Sequence, residues 1–197
     1  MAKEIWVFAE QNGGVIASSY YEMLAKAKTV YADAKEALCF TAVLLAGDDK
    51  PVAELKESGA CKVIYAVHEK LAGYNPAYYT AVLTAMAKEY KPEVILVAAS
   101  AQGAEFAPAV SARLKTGLAA HCTELKIDEN EELHMIAPAF GGKLMGEYII
   151  PECRPVMASI KPGVFENSKL NALSPAPWSS WQRCVPSSTT AACRRPN

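Results

Sequence analysis

Short unbroken runs of β-branched and other apolar residues alternate along this chain with longer stretches in which apolar positions recur every three or four residues. The first kind suits a strand covered on both faces and the second a helix with one buried face. The pattern therefore predicts βα units around a mostly parallel sheet. Residues 4–10 (EIWVFAE), 39–47 (CFTAVLLAG), 61–67 (CKVIYAV) and 93–100 (EVILVAAS) read as four strands. A helix is expected over 18–37, capped by Ser18 or Ser19, with Tyr20, Met23, Leu24, Ala27, Val30, Tyr31 and Ala34 on its apolar face. A short helix starts at Pro51 and is closed by Gly59, and a third is opened by Asn75-Pro76 and parted from the fourth strand by Pro92. A fourth spans 102–114 with Pro108 in its early turns and stops at Thr116-Gly117.

After residue 117 the rhythm changes. Residues 118–128, 132–140, 143–150 and 156–162 are all extended in character, separated by turn signals at 128–132, at Gly141-Gly142 and at 151–155. Additional, partly antiparallel strands should finish the domain. Glu124, Asp128, Glu129, Glu131 and Glu132 crowd one of these turns and fit a solvated hairpin loop, with nothing nearby to separate their pKa values into an acid and a base. The expected fold class is α/β, a three-layer α/β/α sandwich with extra C-terminal strands.

From Ser168 the composition shifts: thirty residues hold six Ser, four Pro, two of the three Trp and three of the five Arg, without hydrophobic period. Such a segment cannot build a core. The expected organisation is one domain over 1–167 and an irregular or disordered tail over 168–197 that reads as misframed, which agrees with the core that 197 residues at 51% hydrophobic can bury. The longest apolar runs fall well short of the roughly 18 to 20 residues of a membrane span, and the start lacks a secretory signal's apolar segment. A cytoplasmic location is expected, or a mitochondrial one after loss of a presequence.

Charge and cysteine usage narrow the partners. Residues 1–167 carry sixteen Lys and Arg against twenty-one Asp and Glu with no basic stripe, which argues against nucleic acid. Six cysteines form no CxxC pair, and Cys39, Cys61 and Cys122 lie in or beside apolar runs, where a thiol acts as a small hydrophobe. The turns after the first and fourth strands are where an open α/β sheet binds nucleotides, yet residues 11–14 and 99–103 contain neither G-x-G-x-x-G nor a Walker lysine. Ser100 at the second turn reads as a helix cap, and His68, His121 and His134 are dispersed. No catalytic, cofactor-binding or metal residue is assigned.

The segments EIWVFAE, KPEVILVAAS (91–100), KTGLAAHCTEL (115–125), PAFGG (138–142) and RPVMASIKPGVF (154–165) together resemble the N-terminal domain of the alpha subunit of electron transfer flavoproteins, over about residues 3–165. The resemblance implies an adenine-nucleotide alpha hydrolase-like fold that has lost its nucleotide and docks a similarly folded beta subunit. It also implies an FAD-dependent carrier between dehydrogenases and an acceptor, in which this domain is not itself an enzyme. FAD is expected in the intact complex and not on this chain alone, since nothing after Phe165 resembles the family's glycine-rich FAD segment.

Partner-interface candidates are Phe140, Gly141, Gly142, Arg154 and Lys161. Phe140 reads either as an aromatic anchor or as a core residue behind a hairpin turn, and Arg154 and Lys161 as partner contacts or solvated charges. The chain departs from the family pattern at Gly103-Ala104-Glu105, Pro108-Ala109, His121 and Ala137, losing three arginines suited to bidentate contacts. The alternative is a free-standing adenine-nucleotide-binding domain of the same architecture.

Overall fold

A computed structural model describes residues 3–32 and 34–165 and the backbone of 180–184. The first strand, β1 (Lys3–Ala9), is followed by a two-residue hairpin, β2 (Gln11–Asn12) and β3 (Val15–Ile16), then α1 (Ser18–Val30), β4 (Leu38–Ala46), α2 (Lys50–Lys56) and β5 (Lys62–Val67). A 3-10 turn (Glu69–Leu71) leads to α3 (Pro76–Tyr90), β6 (Val94–Ala98), α4 (Ala101–Leu114) and β7 (Leu118–Cys122). Three antiparallel strands follow, β8 (Glu124–Ile127), β9 (Leu133–Ala139) and β10 (Leu144–Tyr148), before β11 (Val156–Ile160) and β12 (Ser180–Cys184).

The main sheet is parallel in the order β12-β5-β4-β1-β6-β11-β7, and β10-β9-β8 form a separate antiparallel sheet. Side-chain alternation along each strand separates two cores. Ile5, Val7, Ala42 and Leu44 pack with Tyr20, Met23, Leu24 and Leu55 of α1 and α2. Trp6, Phe8, Val43 and Leu45 pack with Tyr79, Leu83, Met86, Phe106 and Val110 of α3 and α4. The second core is aromatic, with Phe8 and Phe106 ring centroids 5.0 Å apart. Full burial of side chains of this size contributes about 1.5–3 kcal/mol each. The expected three-layer α/β/α fold is therefore the observed one.

Three local expectations are corrected. Neither Ser18 nor Ser19 caps α1: the cap position is Ala17 and no side chain bonds there. The helix stops at Val30, seven residues early, because Ala37 O must accept from Lys3 N to start the pairing of β4 with β1. Pro108 sits mid-helix in α4, where Ser111 Oγ donates to its carbonyl at 2.9 Å. By contrast Asn75 caps α3 as expected, its Oδ1 accepting from the N–H groups of Ala77 and Tyr78 at 3.0 and 3.2 Å.

Of residues 168–197, the backbone of Ser180–Cys184 runs parallel to β5, and the others lie outside the described residues.

Candidate functional site

The chain order of the main sheet reverses at β1, which has β4 on one side and β6 on the other. Ligands of open α/β sheets bind in the crevice beyond the carboxyl ends of strands at such a point. Here the crevice is bridged from within. Ser100, at the cap of α4, accepts from Gly103 N at 3.0 Å and donates its hydroxyl proton to Glu10 Oε2 at 2.5 Å. A carboxylate thus stands beside the helix N-terminus that would otherwise face an anion.

Gly103 is needed there for packing: a Cβ on it would lie 1.9 Å from Ala98 O. The other glycine pair of the crevice, Gly13 and Gly14, has φ of +59° and +86° and makes the tight turn between β2 and β3. Beside it a cleft of about 410 Å³ is lined in part by Gln11, Gly47, Asp48, Lys50 and Glu69. Lys50 faces Asp48 at 3.5 Å. Carboxylates at Glu10, Asp48 and Glu69 thus stand at this end of the sheet, and the cation lining the cleft faces one of them. Among the described residues no group of three His, Cys, Asp or Glu could hold a metal.

The antiparallel sheet presents the opposite character. Leu133, Met135 and Ala137 of β9 are buried against the body, whereas every residue of β10 except Gly146 is exposed. Phe140 is 80% exposed, Leu144 59% and Met145 57%, with Tyr148 and Ile149 also open. The core reading of Phe140 is corrected: its ring lies outside. Its backbone has φ +49°, an unusual conformation for a bulky residue, and Gly141 and Gly142 follow at +69° and +84°.

The hairpin tip projects beyond the carboxyl end of the main sheet. Thr123 N, just past the last residue of β7, donates to Ile136 O, and Phe140 lies four residues further along the strand direction, roughly 13 Å. At the base the turn between β8 and β9 is tied by Asp128, which accepts from Glu132 N at 2.8 Å and Asn130 N at 2.9 Å. These backbone donors hold the Asp128 carboxyl below the usual carboxylate range, the Glu132 N–H first. His134 Nδ1 lies 2.8 Å from Glu147 Oε1 across the β9–β10 pair.

The remaining candidates do not join this patch as one surface. Arg154 precedes β11 and Lys161 follows it, so the strand separates them by roughly 20 Å. Arg154 is committed internally: it pairs with Glu93 through Nε, and its Nη1 donates to the carbonyls of Ile150, Pro151 and Cys153. These contacts make it a latch on the segment between β10 and β11, while its side chain stays exposed. Lys161 is exposed at the carboxyl end, its N–H donating to Cys122 O, and shares that end with the hairpin tip. The sequence reading missed the exposed apolar row of Leu144, Met145, Tyr148 and Ile149. The signal available was an apolar pattern without period-2 alternation in a segment bounded by glycines and prolines.

Among the described residues no helix is long and apolar enough to cross a membrane. The family model of the electron transfer flavoprotein domain matches residues 5–183. The chain is 41% identical to the Protein FixB of Clostridium saccharobutylicum over 165 residues, covering 83% of this chain and 49% of that one. It is 40% identical to the electron transfer flavoprotein subunit alpha of Clostridium acetobutylicum over 171 residues, 86% of this chain and 50% of the relative. The acryloyl-CoA reductase electron transfer subunit beta of Anaerotignum propionicum is 34% identical, with 86% and 52% covered. The chain spans about half the length of these curated relatives. The family match across most of the chain and the alpha-subunit relatives place this protein in the electron transfer flavoprotein family, as a domain of the alpha-subunit N-terminal type.

Proposed function

We propose that this domain is the docking platform on which an electron transfer flavoprotein alpha subunit holds its beta subunit, with FAD and electron transfer residing in the assembled complex. The observation that carries the reading is the projecting hairpin, where Phe140 combines 80% exposure with a positive φ. Both features work against folding of the lone domain, so their return lies in a contact with another chain. The occupant is a second flavoprotein subunit, because relatives are themselves named as one subunit of an electron transfer flavoprotein.

Phe140 and Met145 supply apolar anchors, Gly141 and Gly142 let a partner backbone approach, and Lys161 adds a charge at the same end. Arg154 acts at a distance by holding the segment between β10 and β11. The internal Glu10–Ser100 bridge supports a scaffold over a nucleotide-binding role, and the domain itself catalyses nothing in this reading. The cytoplasm is the proposed location.

Co-expression with a cognate beta subunit, followed by size-exclusion chromatography, tests the proposal. Co-elution that is lost on Phe140→Ala supports it. A lone monomer beside free beta subunit, or micromolar binding of AMP or ATP, would overturn it in favour of a free-standing nucleotide-binding domain.

A further inference from the structure

At the opposite end of the main sheet, where β4 and β5 begin, two cysteines meet. The β4–β5 register pairs Thr41 with Lys62, and Cys61 N donates to Phe40 O at 2.8 Å, so Cys61 lies one residue out of register with Cys39 on the neighbouring strand. Strand spacing and rise place their Cα atoms roughly 6 Å apart, within the span that a disulfide bridges. Cys61 precedes β5 and its side chain is not bound by the strand's alternation. Each thiol acts on the other's proton affinity, and Cys39 Sγ also lies 3.7 Å from Thr41 Oγ1. Both are half-buried, in contrast to fully buried Cys122 and exposed Cys153.

The surroundings make the two thiols unequal. The neighbouring Cys39 thiol pulls the Cys61 thiol down to about 6, helped by the Phe40 backbone and by the Lys28 ammonium against the opposing effect of burial. That ammonium is fixed nearby, Lys28 Nζ donating to Gly59 O at 2.6 Å. Cys39, beside that thiolate and partly buried, is pushed up. One nucleophilic thiolate beside one resolving thiol is the arrangement that supports reversible oxidation.

We propose that Cys39 and Cys61 form a dithiol modification site that a hydroperoxide oxidises to an intrachain disulfide. The Cys61 thiolate attacks the distal peroxide oxygen, the O–O bond breaks, and the alkoxide or hydroxide leaving group takes a proton, giving a sulfenic acid on Cys61. Cys39 then attacks that sulfur, the S–O bond breaks, the Cys39 proton and the hydroxyl leave as water, and the S–S bond forms. The protein loses two electrons and two protons, and the peroxide is reduced to an alcohol or water and one further water. The bond staples β4 to the entrance of β5.

The test uses the full chain with Cys153, Cys184 and Cys193 replaced by Ser, leaving Cys39, Cys61 and Cys122. Treatment with hydrogen peroxide is expected to lower the free-thiol count from three to one, with a non-reducing peptide map joining Cys39 to Cys61 and full recovery on reduction. Alkylation should mark Cys61 before the other two, with an inflection well below the roughly 8.5 of free cysteine. Lys28→Met should slow that alkylation several-fold, and Cys39→Ser should halt oxidation at a sulfenic acid trapped by dimedone. Three thiols surviving the peroxide, a bridge to Cys122, or irreversible overoxidation of Cys61 with Cys39 present would each overturn the proposal. Peptide mapping of the unaltered chain gives the same decision should a variant fail to fold.

Discussion

Ser100 Oγ donates to Glu10 Oε2 at 2.5 Å, joining the end of β1 to the start of α4 across ninety residues of sequence. The same hydroxyl oxygen accepts from Gly103 N, so one side chain caps a helix and closes the crevice at the centre of the sheet. Ser100→Ala removes both contacts at once. It should destabilise the domain by about 1–2 kcal/mol, read as a lower denaturant midpoint at unchanged m-value.

Gly103 and Gly73 separate two uses of glycine. Gly103→Ala drives a Cβ to 1.9 Å from Ala98 O, a rigid backbone atom, whereas a Cβ at Gly73 meets nothing within 4 Å. The first substitution should cost at least about 3 kcal/mol or prevent folding, and the second should stay within about 1 kcal/mol of the parent. Thermal unfolding of the pair checks the difference.

Asp128 should make the β8–β9 turn acid-sensitive. Its carboxyl is held below the ordinary 3.8 chiefly by the Glu132 N–H, so the stabilisation it provides is present above that value and is lost as pH falls through the lower folded value. Hydrogen exchange of the Glu132 amide should accelerate over that acidic window. Asp128→Asn should accelerate it already at neutral pH.

Tyr20 sets an alkaline limit. Burial raises its phenol above the ordinary 10.0, and the 2.8 Å hydrogen bond with Ser58 only partly opposes this. Stability from the neutral phenol is complete below pH 10 and is lost as pH rises through that value toward the folded one. Ultraviolet titration should therefore show Tyr20 ionising together with unfolding, and Tyr20→Phe should move the alkaline transition upward.

The sequence exposed the features that are local. Asn75-Pro76 carries its own capping chemistry, and residues 94–98 are uniformly buried as an uninterrupted apolar run requires. The carboxylates around Asp128 do form a hairpin turn. What stayed hidden depends on distant partners. The end of α1 is set by Ala37 meeting Lys3, and β11 slips between β6 and β7 although it follows β10 in the chain.

At the candidate site PAFGG announced a turn, yet whether Phe140 faces in or out depends on what β9 packs against. The hold of Arg154 on Glu93 and three carbonyls was hidden because those acceptors are assembled only by the fold. The Cys39–Cys61 contact depends likewise on strand register.

The central claim is that the Phe140 hairpin binds a second subunit, and its most direct test is the dissociation constant between this chain and a purified cognate beta subunit, measured for the parent and for Phe140→Ala. A specific complex weakened roughly thirtyfold or more by the substitution, equivalent to about 2 kcal/mol, is the predicted result. Equal affinity of parent and variant, or no complex at micromolar concentration with the parent, would contradict it.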